Sequence, residues 1–218
     1  MDKQLFQLIN SRWTSPALDS FMAALSCLPL WAPFIVIAAV AVAVLGGFRA
    51  RATLAVLAIT IAVMDAGVSD TLKKFVNRPR PREAQKGVRV VDLQPGTLRF
   101  LSLFKPAVVT RSPAPKEPPT GHSFPSGHTI NMFSVATVLT LFYRRRGLWA
   151  FLPAALVAYS RVYTGAHWPT DVLVTAFIAV GGTLLLVAAL ELAWRKFGGR
   201  LLPRAFEKHP MLLEEHAA

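Results

Sequence analysis

The run Ser160-Arg161-Val162-Tyr163-Thr164-Gly165-Ala166-His167-Trp168-Pro169-Thr170-Asp171 decides how the rest of the chain is read. It closes one apolar stretch, turns, and opens another at Pro169, a residue well tolerated in a helix's first turn because the N–H there has no partner anyway. Upstream, Pro125-Ser126-Gly127-His128 stands at the start of another apolar stretch, and Lys73 with Arg80-Pro81 accompanies the end of a third. Together these motifs hold two histidines, one carboxylate and three cations. That set suits a phosphate attacked by one imidazole and released by another.

Composition sets the surroundings. At 218 residues the chain is one domain by length. Its 53% hydrophobic and 17% charged content indicate a membrane protein. The net charge of +12 comes without any nucleic-acid motif, and the cations flank apolar runs. Anionic lipid headgroups are therefore the expected counter-charge, with the bilayer as partner and nucleic acid excluded. Cys27 is the sole cysteine, which rules out an intrachain disulfide and a thiolate metal cluster and leaves a small core or lipid-facing residue. Ala17 to Leu28 is interrupted by Asp19 and runs into a longer apolar span, so no cleavable signal peptide is evident and the spans themselves serve as insertion signals.

The pattern predicts an all-α, polytopic membrane helical bundle of about five transmembrane spans plus an N-terminal interfacial (or sixth) helix. Residues 1–28 alternate apolar and polar groups and read as an interfacial amphipathic helix or pair of helices, with Trp13 at headgroup depth. The catalytic domain is expected over 29–194. Its spans are Leu30 to Gly47, Thr53 to Val76, Ser126 to Tyr143, Leu148 to Tyr163 and Thr170 to Trp194. Asp70 stands three and four residues before Lys73 and Lys74 and reads as a local ion pair, whereas the deeper Asp65 is expected to point into the bundle in a structural hydrogen bond. Asn131, Ser134 and Thr137 form a small polar stripe for tight helix packing. The proline-rich connection 77–121 is expected to be irregular or polyproline-like apart from a short helix over Thr97 to Phe104 lying at the membrane surface. Residues 195–218 read as a basic cytoplasmic tail with His209 and His216 solvated.

Arg49, Arg51, the Arg144-Arg145-Arg146 turn and the tail fall on one side by alternation, and the positive-inside bias makes that side cytoplasmic. The nine Lys/Arg residues of the 77–121 connection weaken the asymmetry. All three motifs then fall on the opposite, extracytoplasmic face of the cell (inner) membrane. Two helix N-termini are expected there, at Ser126-Gly127 and Trp168-Pro169, and such ends bind anions. Gly127 permits close backbone approach. Arg80 and Arg161 offer forked donors for phosphate oxygens, and Lys73 adds a point charge. Asp171, four residues after His167, is placed to hold one ring nitrogen and free the other for attack, while His128 is placed to protonate the leaving oxygen and then activate water.

With its K-x6-RP, PSGH and SR-x5-H-x3-D motifs, in order, the chain resembles the type 2 phosphatidic acid phosphatase superfamily over roughly residues 53–194, and more loosely at the N-terminal Leu8-x-Asn10 and Leu18-Asp19. That resemblance implies a bundle of about six helices, so residues 1–28 would have to supply the sixth element. It implies a phosphohistidine on His167, acid–base work by His128 and orientation of His167 by Asp171. It also implies a phosphate cradle of Lys73, Arg80, Ser126, Gly127 and Arg161, with no cofactor and no metal. The expected activity is hydrolysis of a lipid phosphate or diphosphate, of the undecaprenyl diphosphate, phosphatidylglycerophosphate, phosphatidate or lipid A 1-phosphate type. A lipid phosphotransferase using the same phosphohistidine is the alternative. Vanadate-dependent haloperoxidation fits less well, since those relatives are larger and soluble, and a transporter would not need a complete phosphate site. For His122, outside the motifs, a headgroup contact and a loop position without a role are both open. Oligomeric state is not encoded in any of these features.

Overall fold

The structure, a computed structural model, describes residues 1–96, 99–115 and 121–213. Helix α1 (Asp2–Gln7) runs into a π-helical turn (Leu8–Arg12), and α2 (Pro16–Ser26) follows, started by Ser15, whose Oγ accepts from the Leu18 N–H at 3.2 Å. Then come α3 (Leu28–Leu45) and α4 (Phe48–Ile61). Helix α4 continues through a π-helical segment (Ala62–Ser69) into α5 (Asp70–Val76). Asn77, with φ of 43°, stops α5, and the alternating prolines after it favour extended backbone up to the short α6 (Pro81–Ala84). Beyond the connection lie α7 (Gly127–Tyr143), α8 (Arg145–Leu148), α9 (Phe151–Tyr163), α10 (Pro169–Leu201) and α11 (Pro203–Lys208).

Helix α7 is the axis of the bundle and packs on α4, α9 and α10. Its Ile130, Ala136 and Val138 are fully buried. The small polar stripe packs as expected: Thr183 Oγ1 donates to Ser134 Oγ at 3.0 Å, Thr137 is buried, and Asn131 Nδ2 donates to Asp65 Oδ2 at 3.3 Å. Asp65 therefore does point inward. Helix α3 is the opposite case. Its mean hydropathy is 2.5 and only 6% of it is buried, so it presents apolar side chains almost all round. Among the described residues, three stretches are long and apolar enough to cross a membrane: Leu28–Leu45, Phe48–Ala84 and Pro169–Leu201. Helices α7 and α9, of 17 and 13 residues, are shorter.

Residues 1–28 form a pair of helices, and one side of that pair belongs to the core. Phe6, Ile9 and Met22 cluster with Val91, Val162, Tyr163 and Trp168, while Leu5, Trp13 and Phe21 are exposed. Asp19, which interrupts the apolar pattern and stands in the looser N-terminal resemblance, is buried. Arg89 Nη2 donates to both of its oxygens at 2.9 Å, and the Tyr163 hydroxyl donates at 2.6 Å.

Two expectations are corrected. The 77–121 connection is not all irregular: β1 (Arg89–Asp92) pairs antiparallel with β2 (Val108–Arg111), with Arg89 opposite Arg111. The runs Val90-Val91 and Val108-Val109-Thr110 are β-branched, and the prolines fall outside the strands. Between the strands a 3-10 helix spans Arg99–Phe104, the short helix expected there; residues 97–98 lie outside the described residues. His209 is not solvated. Its ring stacks on Phe48 at 4.0 Å because the chain folds back after α10, where Glu191 accepts from the Leu212 and Leu213 N–H groups at 2.9 and 3.2 Å. His216 lies outside the described residues.

The Asp19–Arg89 pair welds α2 to the ribbon, and cutting it strands a buried guanidinium. Asp19→Ala is expected to cost about 3–5 kcal/mol, read as a lowered Tm in detergent, with Asp19→Asn in between.

Candidate active site

Helix α9 ends in a turn whose own hydrogen bonds set Arg161 beside His167. Thr164 Oγ1 donates to the Ser160 carbonyl at 2.9 Å, and the N–H groups of Ala166 and His167 both donate to the Arg161 carbonyl, at 3.0 and 3.1 Å. Gly165 makes the turn possible: its φ is +75°, and a Cβ there would lie 2.6 Å from the Arg89 carbonyl oxygen. Asn10 locks the turn to β1, donating to the carbonyls of Arg89 and Tyr163 at 2.8 and 2.7 Å and accepting from the Arg89 N–H at 3.1 Å. Neither Asn10 nor Arg89 was singled out for the site, and only the loose N-terminal resemblance pointed toward Asn10.

His167 is buried, with Nδ1 2.6 Å from the Ser123 carbonyl oxygen. A carbonyl only accepts, so Nδ1 carries the proton and Nε2 keeps its lone pair. Burial holds the imidazole pKa well below its ordinary 6.5. The Arg161 guanidinium adds to this, and Arg80 and His128 push the same way against the opposing Ser123 bond. His167 is a neutral base whose Nε2 is available.

The contact expected between Asp171 and His167 is replaced by an indirect one. Asp171, fully buried, accepts from Ser123 Oγ at 2.5 Å, from the Trp168 N–H at 3.0 Å and from Arg78 Nη1 at 2.5 Å. His167 lies ahead of α10, outside the helix, so the four-residue spacing does not bring the two side chains face to face. The carboxylate caps the helix instead and reaches His167 through Ser123. Arg78, inside the first motif but uncounted in its reading, spans Asp171, Thr170 Oγ1 at 2.9 Å and Asp2 Oδ2 at 2.7 Å. Asp2 also accepts from the Thr170 N–H at 3.1 Å and hydroxyl at 2.8 Å. Although partial burial raises the Asp2 pKa, the bonds from Thr170 and Arg78 outweigh it and leave it lowered.

Arg80, His128 and Arg161 converge with His167, all three being close enough for their charges to act on it. Arg80 Nε, His128 Nε2 and Arg161 Nε are buried without a hydrogen-bond partner among the described residues. His128 and Arg161 line a cavity of about 490 Å³ with Ser26, Cys27, Asp92 and Leu93. A larger cleft of about 920 Å³, between α1, α9 and α10, is lined by none of Lys73, Arg80, Ser126, Gly127, His128, Arg161, His167 or Asp171. Ser126 is fully buried ahead of α7, its N–H donating to Thr175 Oγ1 at 3.1 Å and its Oγ accepting from Thr129 at 3.0 Å. A methyl at Gly127 would meet only Asp65 Oδ1, at 3.5 Å. Lys73 stands apart: its ammonium is 3.1 Å from Asp70, the local ion pair expected for Asp70. His122 Nδ1 lies 3.4 Å from the Lys73 carbonyl oxygen.

Residues 49–195 match the sequence family described as the PAP2 superfamily. The chain belongs to that superfamily. Several PAP2 relatives are lipid phosphatases by name. The chain is 27% identical to the lipid A 4'-phosphatase of Bacteroides thetaiotaomicron over 205 residues, 89% of this chain and 80% of that one. It is 44% identical to the undecaprenyl-diphosphatase of Sulfolobus acidocaldarius over 57 residues, 25% of this chain and 27% of that one. A third relative, the bacitracin transport permease protein BcrC of Bacillus licheniformis, is 40% identical over 34% of this chain and 33% of its own length. The last two matches thus span about a third or less of those relatives. Among solved structures, LpxE of Aquifex aeolicus superposes with a TM-score of 0.59 at 26% identity, covering 86% of this chain and 94% of that one.

Two outcomes test this geometry. With its folded-state pKa below 6.5, His167 refuses a proton that the unfolded chain accepts. Its contribution to stability is therefore intact above 6.5 and declines as pH falls from there toward the folded value. The apparent Tm is expected to drop over that window in the wild type and less in His167→Gln. Arg78→Ala leaves the Asp171 carboxylate buried beside no cation and is expected to cost about 1–3 kcal/mol, given the partly exposed arginine. Arg78→Lys is expected to recover only part of that Tm, since an ammonium cannot fork between two carboxylates.

Proposed function

We propose that the protein is an integral membrane phosphatase that hydrolyses a lipid phosphate or lipid diphosphate through a phosphohistidine on His167. One observation carries this reading: three buried, unpartnered nitrogens, on Arg80, Arg161 and His128, gather around a neutral imidazole. Buried polar groups are normally hydrogen-bonded, so a cluster of orphans marks the place of a ligand. Two arginines call for an anion with several oxygens, as phosphate has.

The reaction then runs in two halves. His167 Nε2 attacks phosphorus, forming a P–N bond as the P–O bond to the lipid breaks, and His128 gives its proton to the leaving oxygen. Water then attacks the phosphohistidine, His128 takes its proton, and the P–N bond breaks to release inorganic phosphate. Arg80 and Arg161 offset charge on the equatorial oxygens, and the first-turn N–H groups of α7 add partial positive charge beside Gly127. Among the described residues only Asp65 Oδ1 comes near a Cβ at Gly127, at an uncrowded 3.5 Å, which leaves its glycine for close approach of the ligand. Asp171 is a positioning residue that acts through Ser123. Lys73 reaches the phosphate only by leaving Asp70 and is assigned a supporting, attractive role.

We read the bundle as five spans in the cell membrane, with the site on the extracytoplasmic face, supported by the positive-inside charges and the clustering of all three motifs at one end. The match to the lipid A 4'-phosphatase covers most of the chain and supports testing a lipid A phosphate first, before undecaprenyl diphosphate, phosphatidylglycerophosphate and phosphatidate.

The test is inorganic phosphate release by purified protein with EDTA present, against those four lipids. Release from one, abolished in His167→Ala with its Tm retained, is the expected result. Activity of His167→Ala within a few-fold of wild type would remove it as nucleophile. A trapped acid-labile phosphoenzyme without release would point to transfer onto another lipid.

A further inference from the structure

The connection between α6 and α7 carries an apolar surface that the chemistry above does not use. On the 3-10 helix Arg99–Phe104, Ser102 is buried, its Oγ donating to the Gln94 carbonyl at 2.8 Å. Phe100 and Phe104 are 51% and 78% exposed and lie edge to face at 5.8 Å, with Leu101 and Leu103 exposed beside them. Four large apolar side chains on one short exposed turn are poorly placed against water. The turn packs on α3, which with its exposed Trp31, Phe34 and Ile35 is the least buried of the three membrane-length helices and so the one with most apolar surface to offer lipid. The apolar turn therefore continues an existing lipid-facing surface, and the exposed Lys105 follows it as a cation for headgroup phosphates.

The same connection walls the catalytic cavity. Asp92, Leu93 and Pro95 form one side, and Cys27, Leu28 and Pro29 at the α2–α3 junction form another, with His128 and Arg161 between. Both walls run directly into elements that face lipid.

We propose that residues 99–104 are embedded at the boundary between headgroups and acyl chains, and that the phosphorylated headgroup enters sideways from that leaflet, between Leu28-Pro29 and Leu93-Pro95. The route rests on the reading that the substrate is a membrane lipid; the embedding does not. The turn acts as a sill. It fixes the ribbon at headgroup depth, so that a phosphate reaches Arg161 while its lipid chains stay in the bilayer beside α3.

Two measurements test this. In full-length Cys27→Ala protein in vesicles, a bimane label on Phe104→Cys is expected to be quenched by phospholipids brominated on their acyl chains and shielded from aqueous iodide. A label on Arg111→Cys, on β2, is expected to show the reverse. Iodide quenching at position 104, or protection from both quenchers, which would mean that protein covers the turn, overturns the embedding. Kinetically, the double variant Phe100→Ser/Phe104→Ser is expected to raise KM for a long-chain lipid phosphate in vesicles by about tenfold, leaving kcat unchanged and turnover of a short-chain, water-soluble analogue intact. Equal losses on both substrates overturn the entry route. Wild-type turnover of neither substrate would sink the phosphatase reading and the route with it, while the quenching would still decide whether the turn is embedded.

Discussion

A carboxylate with no solvent exposure sits in the first turn of the longest helix, and most of the site is arranged around keeping it there. Asp171 needs donors on both oxygens, because a charge taken out of water without them is unstable. Ser123 Oγ and the Trp168 N–H satisfy one oxygen and Arg78 the other. Each donor fixes a different segment: Ser123 brings in the irregular stretch before α7, Trp168 sets the start of α10, and Arg78 draws in the exit from α5. Arg78 then reaches on to Asp2, so α1 is tied to the same point. The Trp168 indole adds a further tie, donating to the Pro79 carbonyl at 2.9 Å and packing on Phe6. One buried charge thus gathers four stretches of chain that are far apart in sequence, and the Ser123 carbonyl left in place by this arrangement sets the tautomer of His167.

The parts of this that were legible in the sequence were those whose chemistry is local. Arg161, His167 and His128 stand at the ends of apolar runs, where a charged or titratable side chain has a reason to be, and alternation of the runs puts them at one end of the bundle. The Asp70–Lys73 pair follows from helical spacing alone. The reading failed where a helical rule was applied outside a helix: Asp171 is helical and His167 is not, so their spacing carries no shared face. It also failed where the partner lies far along the chain. Asp19 broke an apolar pattern, and nothing nearby showed that Arg89, 70 residues later, would meet it. The ribbon was hidden by the prolines around it, although two short β-branched runs were its signal. Arg78 lay in full view within the first motif, but its role needs two carboxylates from opposite ends of the chain.

The cations around His167 have two consequences that pull in different directions once phosphate arrives. Before binding, Arg161 and Arg80 add to burial in keeping the imidazole neutral, which preserves the Nε2 lone pair. In the proposed reaction a phosphate group accepts hydrogen bonds from those same arginines, and its negative charge offsets their field at the ring. Burial then remains the main reason for His167 to stay unprotonated, and the anion itself favours a proton nearby. A proton is what the leaving oxygen requires, and His128 stands in the same field with an unpartnered Nε2. The division of labour between two otherwise similar imidazoles therefore comes from their outer partners. His167 has its Nδ1 proton pinned by the Ser123 carbonyl, which suits it to the attack proposed above. His128, at the head of α7 and facing the cavity, is the one placed to exchange protons with substrate and water. The Asp171–Ser123 link thus does more than hold the fold: by fixing one histidine's tautomer it is what assigns the nucleophile's part to His167 in the proposed reaction.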